Sequence, residues 1–437
     1  MELFWNIPIF FKVLGVFTLI LVLIRKNAQL GTAFFSGALL LGLWCRMTPL
    51  KLAQSIGLAL IDPKTLLVAA MVGLILILSR SMETLHQMKR LLASLQGTIT
   101  NAKAQLIVFP ALIGLLPMPG GAIFSAPMVE EVGKQYGIDA ETKSLLNYWF
   151  RHVWELFWPL YPGMILATSL AGFEFWTLVL RGFPLSLFST LLGYLFLLRS
   201  LHLPKTDREQ AAKPSEWRTI LREVAPILFV VIASIGGSLS IALLKGAFPA
   251  IERIPTEIPL IVALLVSIAL VWRMNRATQQ IIVSAVWNKP LLNMLYMTFG
   301  IFAFKGVLVE SRAVENLSAF FIALHVPLML LVMLIPFIAG GIAGVALGFV
   351  GTSFPVLLSL LHSMRFEQPQ TIPYLVLAYC SGFAGMMFSP LHVCFALTRE
   401  YFNADFGRLY RRLWLPLMLL LLGGAAYFFI LRYLGGN

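Results

Sequence analysis

The chain has 437 residues, 59% of them hydrophobic and 12% charged, with a mean hydropathy of +0.85 and a formal net charge of +13. No soluble protein of this length hides so much apolar surface, so the bilayer must be its solvent. Long apolar runs without period-two alternation exclude a β-barrel, and the lack of a long basic run argues against nucleic-acid binding, which leaves an all-α polytopic membrane protein.

The first span falls near 8–24, with no basic n-region or small-residue cleavage site, so no cleavable signal peptide is expected. Spans follow near 29–45 and 64–80, then an amphipathic stretch at 82–100 and an apolar segment at 104–117. The run LPMPGGAIFSAP at 116–127 reads as irregular. Residues 143–170 form a long apolar segment interrupted at PLYPG (159–163), and a span at 174–198 follows. The stretch 199–223 is the long polar one, carrying Arg199, Lys205, Arg208, Lys213, Arg218 and Arg222. Further spans lie near 224–245, 257–272 and 291–309, followed by a stretch at 311–325 that matches 82–100. An apolar segment at 326–347 leads into GFVGTSFP (348–355), again read as irregular. A long segment at 371–398 is interrupted at FSPLH (388–392), and the last span is 413–433. Cys45, Cys380 and Cys394 have neither metal nor disulfide spacing and read as small core residues.

The second half repeats motifs of the first. Sliding by 228 residues places Ser125 on Ser353 and Pro127 on Pro355. Sliding by 231 places Tyr148, Phe157, Pro159 and Leu160 on Tyr379, Phe388, Pro390 and Leu391. Proline-broken segments at matching positions of two apolar halves are the sequence sign of a secondary transporter and of its binding site. The halves are residues 1–198 and 224–437, joined by the linker 199–223. The excess of Lys and Arg assigns that linker to the cytoplasm and both termini to the outside of the inner (cytoplasmic) membrane. The first spans of the two halves then run in opposite directions, so the repeats are inverted, although Arg46, Lys51 and Lys64 fall on the outer side.

Lipid offers no hydrogen bonds, so broken backbone at membrane depth must face protein or a wet cavity. Each half is therefore expected to hold a re-entrant hairpin and a broken transmembrane helix. The tips fall near 117–127 and 348–355, marked by Pro119, Gly120, Gly121 and Pro127 and by Gly351 and Pro355. The breaks fall near 157–163, with Pro159, Pro162 and Gly163, and near 388–392, with Pro390. Half-helix N-termini hold an anion, whereas C-termini and freed carbonyls hold a cation such as Na⁺. Substrate contacts are expected from the hydroxyls Ser125, Thr352, Ser353 and Ser389 and from Asn147, Arg151, His152 and His392. A capping or packing role is the plainer reading of each hydroxyl taken alone. Arg151 and Glu155 stand one helical turn apart, which makes an ion pair the plain reading, with Glu155 as the coupling candidate. Three cationic or titratable groups against one carboxylate make the substrate an anion.

LLPMPGGAIFSAPMV (115–129), RHVWELFWPLYPG (151–163) and GFAGMMFSPLHVCFALTREYF (382–402) resemble the integral-membrane family known as domain of unknown function 401. More remotely, the layout is similar to the ion transporter superfamily of divalent-anion:sodium symporters, gluconate permeases, dicarboxylate carriers and arsenite permeases. That resemblance implies inverted repeats, an elevator-type motion of a transport domain against a scaffold, and a homodimer. The sodium-coupled dicarboxylate branch carries Ser-Asn-Thr at its tips and breaks. This chain has Phe124-Ser125-Ala126 and Gly351-Thr352-Ser353 at the tips and no Ser-Asn-Thr anywhere, so sodium coupling and dicarboxylate specificity do not carry over.

The expected function is secondary active transport of a small anion, an organic carboxylate or inorganic oxyanion, coupled to Na⁺ or H⁺. No metal site, no other cofactor, no nucleic-acid partner and no enzymatic centre are expected, and the partners are the anion and membrane lipid. A cation/proton antiporter on the same scaffold and a lipid-handling membrane protein are the alternatives.

Overall fold

The computed structural model describes residues 7–118, 120–203, 217–245, 251, 254–311, 313 and 327–434. All regular elements among them are helical. The first half contains α1 (Ile9–Arg25), α2 (Leu30–Trp44), α3 (Pro49–Ile61), α4 (Pro63–Thr84), α5 (Gln87–Thr98), α6 (Ala102–Gly114), α7 (Ala122–Gln135), α8 (Ala140–His152), α9 (Pro162–Ala171) and α10 (Phe175–Gly193). A 3₁₀ turn, Val153–Leu156, follows α8, and a π-helical turn, Tyr194–Leu198, extends α10. The second half contains α11 (Trp217–Leu244), α12 (Ile258–Met274), α13 (Gln279–Val286), α14 (Lys289–Glu310), α15 (Leu328–Ala343), α16 (Ala346–Ser363), α17 (Gln368–Met387), α18 (Val393–Phe402) and α19 (Phe406–Leu434).

Local chemistry sets many of the starts. Thr48 accepts a hydrogen bond from the Lys51 amide with Pro49 as the first residue of α3, and Asp62 accepts from Lys64 with Pro63 at the start of α4. Asn288 accepts from the Leu291 amide at 2.9 Å at the start of α14. Such caps satisfy amides that have no partner inside the helix, and proline is tolerated there because it has no amide to satisfy.

Six segments among the described residues are helical, at least 18 residues long and apolar enough to cross a membrane, α4, α11, α16 and α19 among them. On α11, Leu228, Ile232, Ile235, Leu239 and Leu243 recur at helical spacing and are exposed. An outward apolar stripe of this kind faces lipid rather than water. The chain is a multi-pass membrane protein.

Small residues let the central helices approach closely, as expected where lipid removes the hydrophobic drive for helix association. At the crossing of α15 and α17, a Cβ on Gly385 would overlap the Phe337 carbonyl, and one on Gly340 would overlap the Gly382 carbonyl. α6 packs against α7 and α8, and α18 packs against both α7 and α8.

Two expectations are corrected by the helix boundaries. The run 348–355 is not a tip. It lies inside α16, and the chain reverses just upstream at Gly344 and Val345. Likewise the first reversal ends before Ala122, so Ser125 and Pro127 lie within α7 rather than in an irregular run. Pro127 and Pro355 sit in the second turn of α7 and the third turn of α16, where each removes one backbone hydrogen bond without ending the helix. Pro119, most of the stretch 311–325 and most of the linker fall outside the described residues.

Candidate functional site

The two reversals and the two interrupted helices meet at one cavity of about 130 Å³. The first reversal, between α6 and α7, contributes Pro117, Met118 and Gly120. The interruption between α8 and α9 contributes Arg151, His152, Glu155, Tyr161, Pro162 and Gly163. The second reversal, between α15 and α16, contributes Gly344 through Leu347, and the interruption between α17 and α18 contributes Met386, His392, Val393 and Cys394. The first turns of α7, α9, α16 and α18 therefore all begin at or beside the cavity wall. Their unpaired amides give that wall a positive character.

Each interruption satisfies the carbonyls that a neighbouring helix end leaves open. At the C-terminus of α6, Trp154 Nε1 donates to Ala111 O at 2.7 Å, Tyr161 Oη to Gly114 O at 2.6 Å, and Trp158 Nε1 to Leu115 O at 3.0 Å. At the C-terminus of α15, Ser389 Oγ donates to Gly341 O at 2.6 Å and His392 Nδ1 donates to Gly344 O at 2.7 Å. The end of α17 is closed by tyrosines, with Tyr148 Oη donating to Met387 O at 3.1 Å and Tyr410 Oη to Phe388 O at 3.0 Å. This explains why aromatic residues with polar tips crowd the sequence WELFWPLY. Broken backbone survives away from water only where such donors reach it.

Gly120 and Gly344 turn the two reversals, with φ of 72° and 62°, a region that side chains with a Cβ enter at a cost. A Cβ on Gly344 would also stand 2.9 Å from the His392 amide nitrogen. The second reversal is thus seated directly on the second interruption.

Arg151 is 2% exposed. Its Nη2 donates to Met118 O at 2.7 Å and its Nη1 lies 3.4 Å from His152 Nε2, while Nε has no partner. Gly121 makes room for it, since a Cβ there would overlap the guanidinium. The expected Arg151–Glu155 ion pair does not form. The helix ends at His152 and the next turn tightens to 3₁₀, which brings residues three apart into line rather than four. Glu155 Oε1 accordingly lies 4.0 Å from His152 Nε2, and the carboxylate is buried.

His152 Nδ1 lies 2.6 Å from Tyr148 O. A carbonyl only accepts, so Nδ1 of His152 carries a hydrogen, as does Nδ1 of His392 against Gly344 O. The two Nε2 atoms then face each other at 3.0 Å, with both rings buried. Cys394 stands beside them, and one ligand-type atom from each of His152, His392 and Cys394 falls within 4.8 Å of the others. A tetrahedral ion bound through bonds of about 2.0–2.1 Å would hold two nitrogens roughly 3.3–3.4 Å apart. The observed pair is closer, and the Arg151 charge lies against the same nitrogen. The Arg151 charge beside His152 Nε2 disfavours a divalent cation in this cluster.

Of the residues singled out in the sequence, Arg151, His152, Glu155, His392, Gly120, Pro162 and Gly163 line the cavity. Ser125 and Asn147 do not. They form a buried strut in which Ser125 Oγ donates to Asn147 Oδ1 at 2.6 Å and Asn147 Nδ2 donates to Ala122 O at 2.9 Å. Thr352 and Ser353 donate back to the carbonyls of Gly348 and Phe349 one turn earlier on α16, so their hydroxyls are spent within the helix. Ser389 is a strap across the second interruption, and Gly351 lets α16 pack on Ile301 and Phe34. Pro159 is buried in the first interruption and Pro390 exposed in the second. Sequence reasoning missed Cys394, Tyr161 and the second reversal. The signal for Cys394 was its place two residues after His392.

The chain matches the model of the family described as Protein of unknown function (DUF401) over residues 11–430, and it belongs to that family. A solved structure with a similar fold is that of the Alcanivorax borkumensis YdaH transporter, described as having an unusual topology. The likeness covers 88% of this chain and 87% of that one, at 16% identity and a TM-score of 0.52. No curated protein matches the chain.

Proposed function

We propose that this member of the DUF401 family is a secondary active transporter that carries a small anion, an organic carboxylate or inorganic oxyanion, coupled to H⁺ or Na⁺. The observation that carries the anion is the buried Arg151 guanidinium, whose Nε has no partner, in a cavity rimmed by four helix N-termini. A buried guanidinium with an open donor is best matched by a charged acceptor, and amide-rich helix ends favour the same sign of ligand. A fold similar to that of a protein described as a transporter supports the transport reading.

Support for paired halves comes from element order. A short helix (α3, α13), a long one (α4, α14), a hairpin (α6–α7, α15–α16), an interrupted helix (α8–α9, α17–α18) and a long closing helix (α10, α19) occur in the same sequence twice. In this reading the halves are inverted, the linker is cytoplasmic, the protein is a homodimer, and alternating access is an elevator-type movement of the unit holding the cavity. The test is flux in proteoliposomes across an anion panel under imposed H⁺ or Na⁺ gradients. If no anion moves under either gradient, the reading fails.

A cation/proton antiporter is the second reading, favoured by Glu155 standing free of Arg151. It requires that a Na⁺ jump collapse a pH gradient with no transportable anion present.

A further inference from the structure

We propose that one proton, shared between His152 Nε2 and His392 Nε2, is the coupling ion, and that it enters the transported complex together with the anion. This rests on the anion-transport reading above and names the ion.

The argument is a hydrogen count. Each ring commits its Nδ1 hydrogen to a backbone carbonyl, His152 to Tyr148 O at 2.6 Å and His392 to Gly344 O at 2.7 Å. If both rings were neutral, each Nε2 would present only a lone pair, and two lone pairs would face each other at 3.0 Å. That distance is a hydrogen-bond distance and calls for one hydrogen between them. Arg151 Nη1, at 3.4 Å from His152 Nε2, is itself a donor, so His152 Nε2 is the acceptor and His392 the ring that holds the proton. Rotating either ring away is opposed by its carbonyl bond and by the Tyr148 ring, whose centroid lies 4.8 Å from that of His152 and 5.5 Å from that of His392.

The charged and titratable groups facing the pair are Arg151 at the end of α8, Glu155 in the 3₁₀ turn after it, Tyr148 one turn before His152, Tyr161 before α9, and Cys394 at the start of α18. Arg151 and Glu155 carry opposite formal charges, so the shared proton adds one positive charge to this set of groups and its loss removes one. In a buried cavity a single uncompensated charge is costly, so anion and proton favour each other's binding. The bridge also ties α8 to the start of α18, so it exists only while those two elements stay together. Equal numbers of protons and monovalent anions crossing in the same direction follow from this charge count.

The test uses the full chain in proteoliposomes containing a pH-sensitive dye, with His152→Asn and His392→Asn. Asparagine keeps a donor near the carbonyl and removes Nε2. The parent should acidify the lumen as anion enters. Each variant should lose pH-driven accumulation by about tenfold or more, and any anion that still enters should bring no proton with it, whereas Gly137→Ala, outside the cavity, should keep both. Anion entry in the parent without proton entry, or variants that still accumulate like the parent, overturns the proposal. So does a stoichiometric metal ion in the purified parent that both variants lack. If no anion moves, the transport reading fails instead, and the bridge is read directly by ¹⁵N NMR of histidine-labelled protein. A shared Nε2 hydrogen present in the parent and absent from both variants supports the bridge, and its absence from the parent overturns it.

Discussion

His152 Nε2 lies 3.0 Å from His392 Nε2 although the two residues are 240 positions apart in the chain. The contact joins the end of α8 to the residue before α18 at the cavity that both line. It also means that residues from both halves must be in place before the site exists.

Arg151 is the anion's expected partner. Arg151→Gln leaves the Met118 carbonyl without its donor and removes the buried charge, and loss of such a partner costs about 2–5 kcal/mol of binding, roughly thirtyfold or more in affinity. Arg151→Lys keeps the charge but not the planar fork, and an intermediate loss is expected. Concentration-dependent uptake in proteoliposomes measures both.

Gly344 and Gly137 both have positive φ, 62° and 64°, but only Gly344 is crowded. Gly137→Ala should cost about 1–2 kcal/mol of left-handed backbone strain and leave transport unchanged. Gly344→Ala adds a collision with the His392 amide nitrogen and should displace the second reversal. Thermal unfolding and flux of the two variants, compared side by side, check this, with Gly344→Ala losing both and Gly137→Ala losing only stability.

Trp158→Phe removes the donor to Leu115 O without emptying the pocket. A buried carbonyl left unsatisfied costs about 1–3 kcal/mol. The expected result is a lower unfolding temperature in detergent. An unchanged temperature would mean that water satisfies that carbonyl.

Asp139 is an exposed cap at the start of α8, ahead of its first residue. Burial pushes its carboxyl up, but hydrogen bonds from the Thr142 amide and hydroxyl and the charge of Arg412 outweigh that and hold it below its ordinary value. A lowered folded-state value stabilises the protein at pH values above the unfolded one, about 3.9. That contribution fades as pH falls through the folded value. Asp139→Ala should therefore be less stable than the parent at pH 7, with the gap narrowing below pH about 4. Melting curves across that range measure it.

Much of the architecture was legible in the sequence. Long apolar runs, the Asp62-Pro63 start and the PLYPG and FSPLH interruptions all correspond to helix limits. Helices α3 and α13 were not read, because each is a short apolar stretch between two spans. The second reversal was misplaced for a physical reason. Ser125 lies five residues after Gly120, whereas Ser353 lies nine after Gly344, so α16 carries about one extra helical turn before its serine. Aligning serine on serine therefore carried the tip one turn too far. The histidine bridge was illegible because no spacing rule joins residues 240 apart, and the Arg151–Glu155 reading failed because it assumed α-helical pitch where the chain tightens.

The most direct measurement is uptake of a panel of small carboxylates and oxyanions into proteoliposomes holding the full chain, under an inward proton gradient, with Arg151→Gln as control. Accumulation of at least one anion that collapses with the gradient and is lost in Arg151→Gln is the expected result. An anion that accumulates equally with and without Arg151, or no anion moving under a proton or a sodium gradient, would contradict the cavity as an anion site.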